Sequence, residues 1–168
     1  MDTLQLLTDI IAGKHRAELM LIPSTTREEK TATILTVAKV ALEHEIPMAI
    51  FSLELSNARI LAHLLADSAE FDVVKALESK QANGQLQQTL DAIKEKPLYL
   101  DDSPILSVSD LKEKASKLIK EHGVQVILVD DLEMMEACET VDLYAIAHEL
   151  GVLLIVLSRK QTNNSSKL

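Results

Sequence analysis

The chain has 168 residues, 47% hydrophobic and 26% charged, with a formal charge of −9 at pH 7, enough for one domain around one core. An acidic surface without a run of Lys or Arg argues against direct DNA binding, which rests on neutralised phosphates. Two Tyr, two Phe and no Trp leave few platforms for stacking bases. The single Cys138 cannot form an internal disulfide, and neither the N-terminal MDTLQLLTDII nor any other stretch reads as a signal peptide or a membrane span, so the expectation is a cytoplasmic protein.

Taken in order, five short apolar runs stand out: ELMLI (18–22), PMAIFSL (47–53), PLYLDD (97–102), VQVILVD (124–130) and VLLIVLS (152–158). Runs of this length without alternation suit strands buried on both faces. Helical spacing fills the intervals. Residues 30–44 place Ile34, Val37, Ala38 and Leu42 on one face. Residues 56–69 start at Ser56, an N-cap, and present Ile60, Leu61, Leu64 and Leu65. Two further short helices are expected over 71–79 and 85–94, parted by a turn at Asn83-Gly84. Residues 107–121 begin with Ser107 and Asp110 in a variant of the capping box and stop at Gly123, and a last helix covers 140–150 before Gly151.

Strands alternating with helices predict an α/β fold, with a mostly parallel sheet of about five strands covered by helices on both faces. Ligands of such sheets bind beyond the carboxyl ends of the strands. The polar residues that follow the runs are Ser24–Glu29, Glu54, Asp101-Asp102, Asp130-Asp131 and Ser158-Arg159, and a parallel sheet brings them to one edge. Residues 1–158 read as a single domain, and 159–168 as a polar, disordered tail.

The stretch IPSTTREEKTATI (22–34) holds a Lys-Thr pair, Lys30-Thr31, between a strand and a helix. A phosphate loop, GxxxxGK[ST], needs its glycines so that successive N–H groups face the phosphates. Here Ser24 and Glu29 stand at the glycine positions, with Glu28 beside them. The plain alternative is an acidic first helical turn complementing the helix dipole. In that turn Glu28 or Glu29 is expected to fold over Lys30 and pair with it. The strand ending in Asp130 has the form that holds a carboxylate near Mg²⁺, and Glu54 follows the second strand where it could polarise water. Each of these also reads as an ordinary polar residue leaving the core. The five histidines and Cys138 lack zinc-ligand spacing, Ser52, Ser56 and Ser158 lack a glycine-flanked elbow, and Met134-Met135 reads as packing.

In this order the pieces resemble the RecA-like C-terminal ATPase domain of DnaB-type replicative DNA helicases, from about Leu7 to Ser158. The carriers are ELMLIPSTTREEKTA (18–32), IPMAIFSLELS (46–56), KPLYLDDSPILSVSDLKEKASKLIKEHGVQVILVDDLEMM (96–135) and ELGVLLIVLS (149–158). The family's strands end in SLEMS, in a Walker B segment IVVDYLQLM and in LSQ. The resemblance implies Lys30 on the phosphates, Thr31 and Asp130 on Mg²⁺, Glu54 as general base, and Arg159 where the family's glutamine senses the terminal phosphate. Against the family pattern, both loop glycines are replaced and three residues are added after Pro23. The region between Met135 and Leu150 is shortened. The later strands, the arginine finger, the N-terminal domain and the linker helix are expected to be missing.

Two functions follow from the resemblance. One is a degenerate relative without helicase activity or cofactor, a binding module in DNA replication that docks on a replicative helicase or its loader, as a monomer or weak dimer. The other is a Mg-dependent ATPase of the DnaB family with a rebuilt phosphate loop, which would bind ATP.

Overall fold

The computed structural model describes residues 5, 8–11, 17–68 and 91–159. Each of the five apolar runs forms a strand: β1 (Glu18–Pro23), β2 (Met48–Ser52), β3 (Leu98–Asp101), β4 (Val126–Asp130) and β5 (Leu153–Ser158). They make one sheet in the order β1-β5-β4-β2-β3, with every pairing parallel. Helices α1 (Arg27–Glu43), α2 (Asn57–Ser68), α3 (Val108–His122) and α4 (Thr140–Leu150) fall between them.

The lack of alternation in the runs is explained by burial on both sides of the sheet. On one face Met48, Ile50, Val126, Leu128, Ile155 and Leu157 meet Ile34, Val37, Ala38 and Ala41 of α1 and Ile60 and Leu64 of α2. On the other, Phe51, Ile127, Val129, Leu154 and Val156 meet Leu111 and Ala115 of α3 and Leu143, Ile146 and Ala147 of α4. Adjacent residues of one strand thus serve opposite layers, because successive side chains point to opposite faces. This is the three-layer α/β arrangement expected from the sequence.

The helix ends follow local chemistry. The Ser107 hydroxyl accepts from the Asp110 amide while the Asp110 carboxylate accepts from the Ser107 amide, a complete capping box. Gly123 and Gly151 close α3 and α4 in the left-handed conformation, at φ of 67° and 66°. Ser56 caps α2 through the Arg59 amide. Helix α1 begins three residues before the expected start, at Arg27, and Leu42 stays half-exposed while Val40 and Ala41 are buried.

The helix expected over 71–79, most of that over 85–94, and residues 160–168 of the expected tail lie outside the described residues; 91–94 are helical. Arg159 is the exception to the tail: it is described, and it is bonded into the strand ends. No helix among the described residues is long and apolar enough to cross a membrane.

Candidate functional site

Parallel strands deliver the carboxyl ends of β1, β2, β4 and β5 to one rim of the sheet. At β1 the buried Ser24 donates its amide to the Ser158 carbonyl at 2.8 Å, extending the β1–β5 ladder by one residue. Only Ser24, Thr25 and Thr26 then separate the strand from α1. Thr26 is the N-cap, and its hydroxyl accepts from the Glu29 amide at 3.2 Å. The Glu29 carboxylate in turn accepts from the Thr25 amide at 2.8 Å, the Thr25 hydroxyl at 3.0 Å and the Thr26 amide at 3.3 Å. These bonds, the Thr25 amide foremost, hold the Glu29 carboxyl below its ordinary value. Donors that an anion would use at a helix N-terminus are therefore engaged by the chain's own carboxylate. Arg27, Glu28 and Glu29 form the first turn of the helix.

Lys30 is thereby the fourth residue of α1, one turn inside the helix, and only 4% of its surface is exposed. Its ammonium donates to Asp131 Oδ2 at 2.6 Å and to Glu54 Oε2 at 3.0 Å. The expected partner, Glu28 or Glu29, is corrected here. Glu29 is committed to the cap at the end of the helix, whereas Lys30 extends across the strand ends to carboxylates far along the chain. Burial depresses the Lys30 pKa, but the hydrogen bonds it donates to Asp131 and Glu54, with their charges, outweigh it and the net shift is upward. Glu54 also receives the Arg27 guanidinium at 3.5 Å. The Lys30 hydrogen bond, foremost among several causes, keeps the Glu54 carboxyl below its usual range.

The two aspartates that end β4 have different tasks. Asp130 takes the Ser52 hydroxyl and the Leu53 amide, each at 2.6 Å, which ties β4 to the end of β2. Burial raises its pKa, opposed by those two bonds. Asp131 turns the chain at φ 73°, in the left-handed region that costs a non-glycine residue roughly 1–2 kcal/mol and that Asp tolerates better than most. This backbone turn places a fully buried carboxylate between two cations. Its Oδ2 accepts from Lys30 and from Arg159, whose Nε lies at 2.8 Å. Glu133 completes the rim: it accepts from the Ser158 hydroxyl at 2.5 Å and the Arg159 amide at 3.1 Å. Although burial alone would raise it, these bonds bring the Glu133 pKa down to about 2.

Of the residues singled out from the sequence, Lys30 and Arg159 are joined through Asp131, and Glu54 through Lys30, into one ionic cluster. Asp130 stands beside it, engaged with β2. Thr31 is not brought in: its hydroxyl donates back to the Arg27 carbonyl at 2.9 Å. Sequence reasoning placed Arg27 and Asp131 at this rim without giving them a role, and did not single out Glu133. The available signal was in the segment after β4, where DDLEMM (130–135) carries Asp131 and Glu133 at the tyrosine and glutamine of DYLQLM.

The DnaB-like helicase C-terminal domain family model matches residues 2–167. The chain belongs to that family. Among curated relatives, a replicative DNA helicase DnaB of Nostoc sp. is 29% identical over 164 residues, covering 88% of this chain and 19% of the relative. One from Treponema pallidum is 28% identical, covering 91% and 39% respectively. This DnaB-like chain therefore spans well under half the length of those relatives. Among solved structures, one ATPase domain superposes with a TM-score of 0.71 at 23% identity, covering 86% of this chain and 58% of that one. A DnaB-like replicative helicase, solved with attention to its interactions with primase, gives 0.72 at 22% identity, covering 85% and 39%. Those two likenesses support the RecA-like fold.

Proposed function

We propose that this DnaB-like domain has a nucleotide site closed by its own carboxylates, and that it serves DNA replication as a binding module without helicase activity. The observation that carries this reading is the buried Asp131 carboxylate, which engages both Lys30 and Arg159. A triphosphate at this rim would have to displace Asp131 from two cations and Glu29 from the Thr25 and Thr26 amides. Like charges would then lie within a few ångströms of one another in a poorly solvated place. The residues do not fit a nucleotide with its magnesium as they are arranged. Thr31 is turned to its own helix, and both Asp130 oxygens accept bonds from the β2 end. No step of hydrolysis is therefore derived from them. The partner this reading favours is a replicative helicase or its loader, since the relatives are replicative helicases and one structural neighbour was solved for its interactions with primase.

Calorimetric titration with MgATP and with a non-hydrolysable analogue tests the closed site. The expected result is no heat up to millimolar nucleotide, and micromolar binding that disappears in Lys30→Ala would overturn the proposal. A stoichiometric complex with the replicative helicase, seen by co-sedimentation, is expected in the same conditions.

One observation favours the second reading, an ATPase with a rebuilt loop: Lys30 and Glu54 still meet at 3.0 Å, beside Asp130. It requires Mg-dependent hydrolysis that Lys30→Ala abolishes. An unchanged rate in that variant would remove it.

A further inference from the structure

The side-chain layer between the sheet and α3 has a gap at its β3 end. In that layer Ala49 of β2 stands level with Tyr99 of β3 and Ile127 of β4, and a methyl group fills little of the space between them. Helix α3 does not close the gap. Leu111 and Ala115 are buried against the sheet, but the helix positions that border β3 are Lys114, Lys117, Leu118 and Glu121. All but Leu118 carry a charge, and a charged head stays in water. Tyr99 does not close it either, because its ring stacks on His122 with centroids 4.3 Å apart. What remains is a cavity of about 470 Å³, walled by Ala49, Phe51, Tyr99 and Leu118.

We propose that this cavity is a binding site for a small aromatic carboxylate, with the ring over Ala49 and the carboxylate on the Lys117 ammonium. The volume suits such a ligand, since small-molecule sites are concave, mostly apolar and of roughly 300–1,000 Å³. The walls favour an aromatic body. The chain has two Phe and two Tyr, and one of each lines this cavity. Offset and edge-to-face contacts between rings add to what burial of apolar area contributes.

The charges select the sign of the head group. Asp101, Lys114, Lys117 and Glu121 border the cavity. The Lys114 ammonium donates to Asp101 Oδ2 and to the Ser103 hydroxyl, both at 2.9 Å, so that end is neutralised within the chain. The Glu121 carboxylate turns to its neighbour, 3.8 Å from His122 Nε2. Among the described residues Lys117 has no hydrogen-bond or ion-pair partner. An anionic head therefore meets an unpaired ammonium, whereas a cationic head meets the same ammonium as a repulsion while Asp101 is already engaged. No residue of this cavity belongs to the rim around Lys30 and Asp131, so the proposal does not depend on the state of the nucleotide site.

Titration of the whole chain with naphthoate, followed by amide nitrogen–proton correlation spectra, tests it. A ligand of this size binds with a dissociation constant of about 1 mM or below. Saturable shifts are expected at the amides of Ala49, Tyr99, Leu100 and Leu118. The neutral analogue naphthalenemethanol is expected to bind about threefold more weakly or worse, as is naphthoate to Lys117→Glu, the scale of an exposed ion pair. Leu118→Trp puts an indole into the cavity and is expected to lose binding with an unchanged far-ultraviolet spectrum. Lys117→Glu, at an exposed position, keeps the test independent of any loss of folding in Leu118→Trp. No saturable shift up to about 10 mM would overturn the proposal. So would shifts confined to the residues around Lys30, equal affinity for the neutral analogue, or binding indifferent to both substitutions.

Discussion

Replacing Asp131 by Asn isolates what the ionic cluster contributes. Asn has the shape of Asp and suits the left-handed backbone at φ 73°, so the substitution adds no conformational cost. What it removes is the negative charge shared by Lys30, which is 4% exposed, and the guanidinium of Arg159. Removing one partner of a buried ion pair costs ~3–5 kcal/mol, because a charge is left uncompensated. Lys30 keeps Glu54 at 3.0 Å, and the Asn carbonyl still accepts one hydrogen bond. The expected loss is therefore smaller, about 2–3 kcal/mol. With a urea dependence of roughly 2 kcal/mol per molar for a domain of this size, the denaturation midpoint falls by about 1–1.5 M. The same variant leaves two cations short of a counter-charge, so calorimetry should detect pyrophosphate binding that the parent protein lacks. A midpoint shift under about 0.2 M would refute the argument, since the cluster would then not be coupled to folding. A large shift without any gain in anion binding would separate the stabilising role from that of occupying an anion site.

Thr26→Ala removes the hydroxyl that caps α1 and should cost about 1 kcal/mol, read as a lower thermal midpoint. Gly151→Ala should cost roughly 1–2 kcal/mol from the backbone alone, because an added Cβ meets nothing within 4 Å while φ is +66°. Stability should fall in acid, in urea titrations between about pH 4.5 and pH 2. Glu54 and Glu133 have lowered pKa values, so their contribution is present above the unfolded carboxylate pKa and is lost as pH drops through the folded one. Asp130, whose pKa is raised, opposes that trend. At the alkaline end Lys30, raised by its partners, contributes fully below the free lysine pKa, and its share is lost as pH climbs through the folded value. A flat profile from pH 5 down to pH 2.5 would contradict the assignment of these shifts to the cluster.

The strands could be found in the sequence because burial on both faces admits almost nothing but aliphatic residues. VILVD and LLIVLS state their position in the sheet by composition alone. The caps were equally local: Ser107 with Asp110, Gly123 and Gly151 act within one helical turn, so their spacing carries the information. Lys30, Glu54, Asp130 and Arg159 could be named because each follows or adjoins a strand whose direction the parallel topology fixes. Which of them touch was another matter. Lys30 and Asp131 are separated by a hundred residues, and their contact depends on the order of strands in the sheet and on the left-handed turn after Asp130, neither of which a local pattern encodes. From the sequence, Glu28 or Glu29 looked like the partner for Lys30 because both lie beside it in the first helical turn. The fold gives Glu29 to the helix cap and Asp131 to the lysine, since a side chain one turn inside α1 faces the rim of the sheet and not the end of its own helix. Residue types at strand ends were thus determined by the sequence itself, and the pairing of their charges by the tertiary structure, which alone brings distant carboxylates within hydrogen-bond reach.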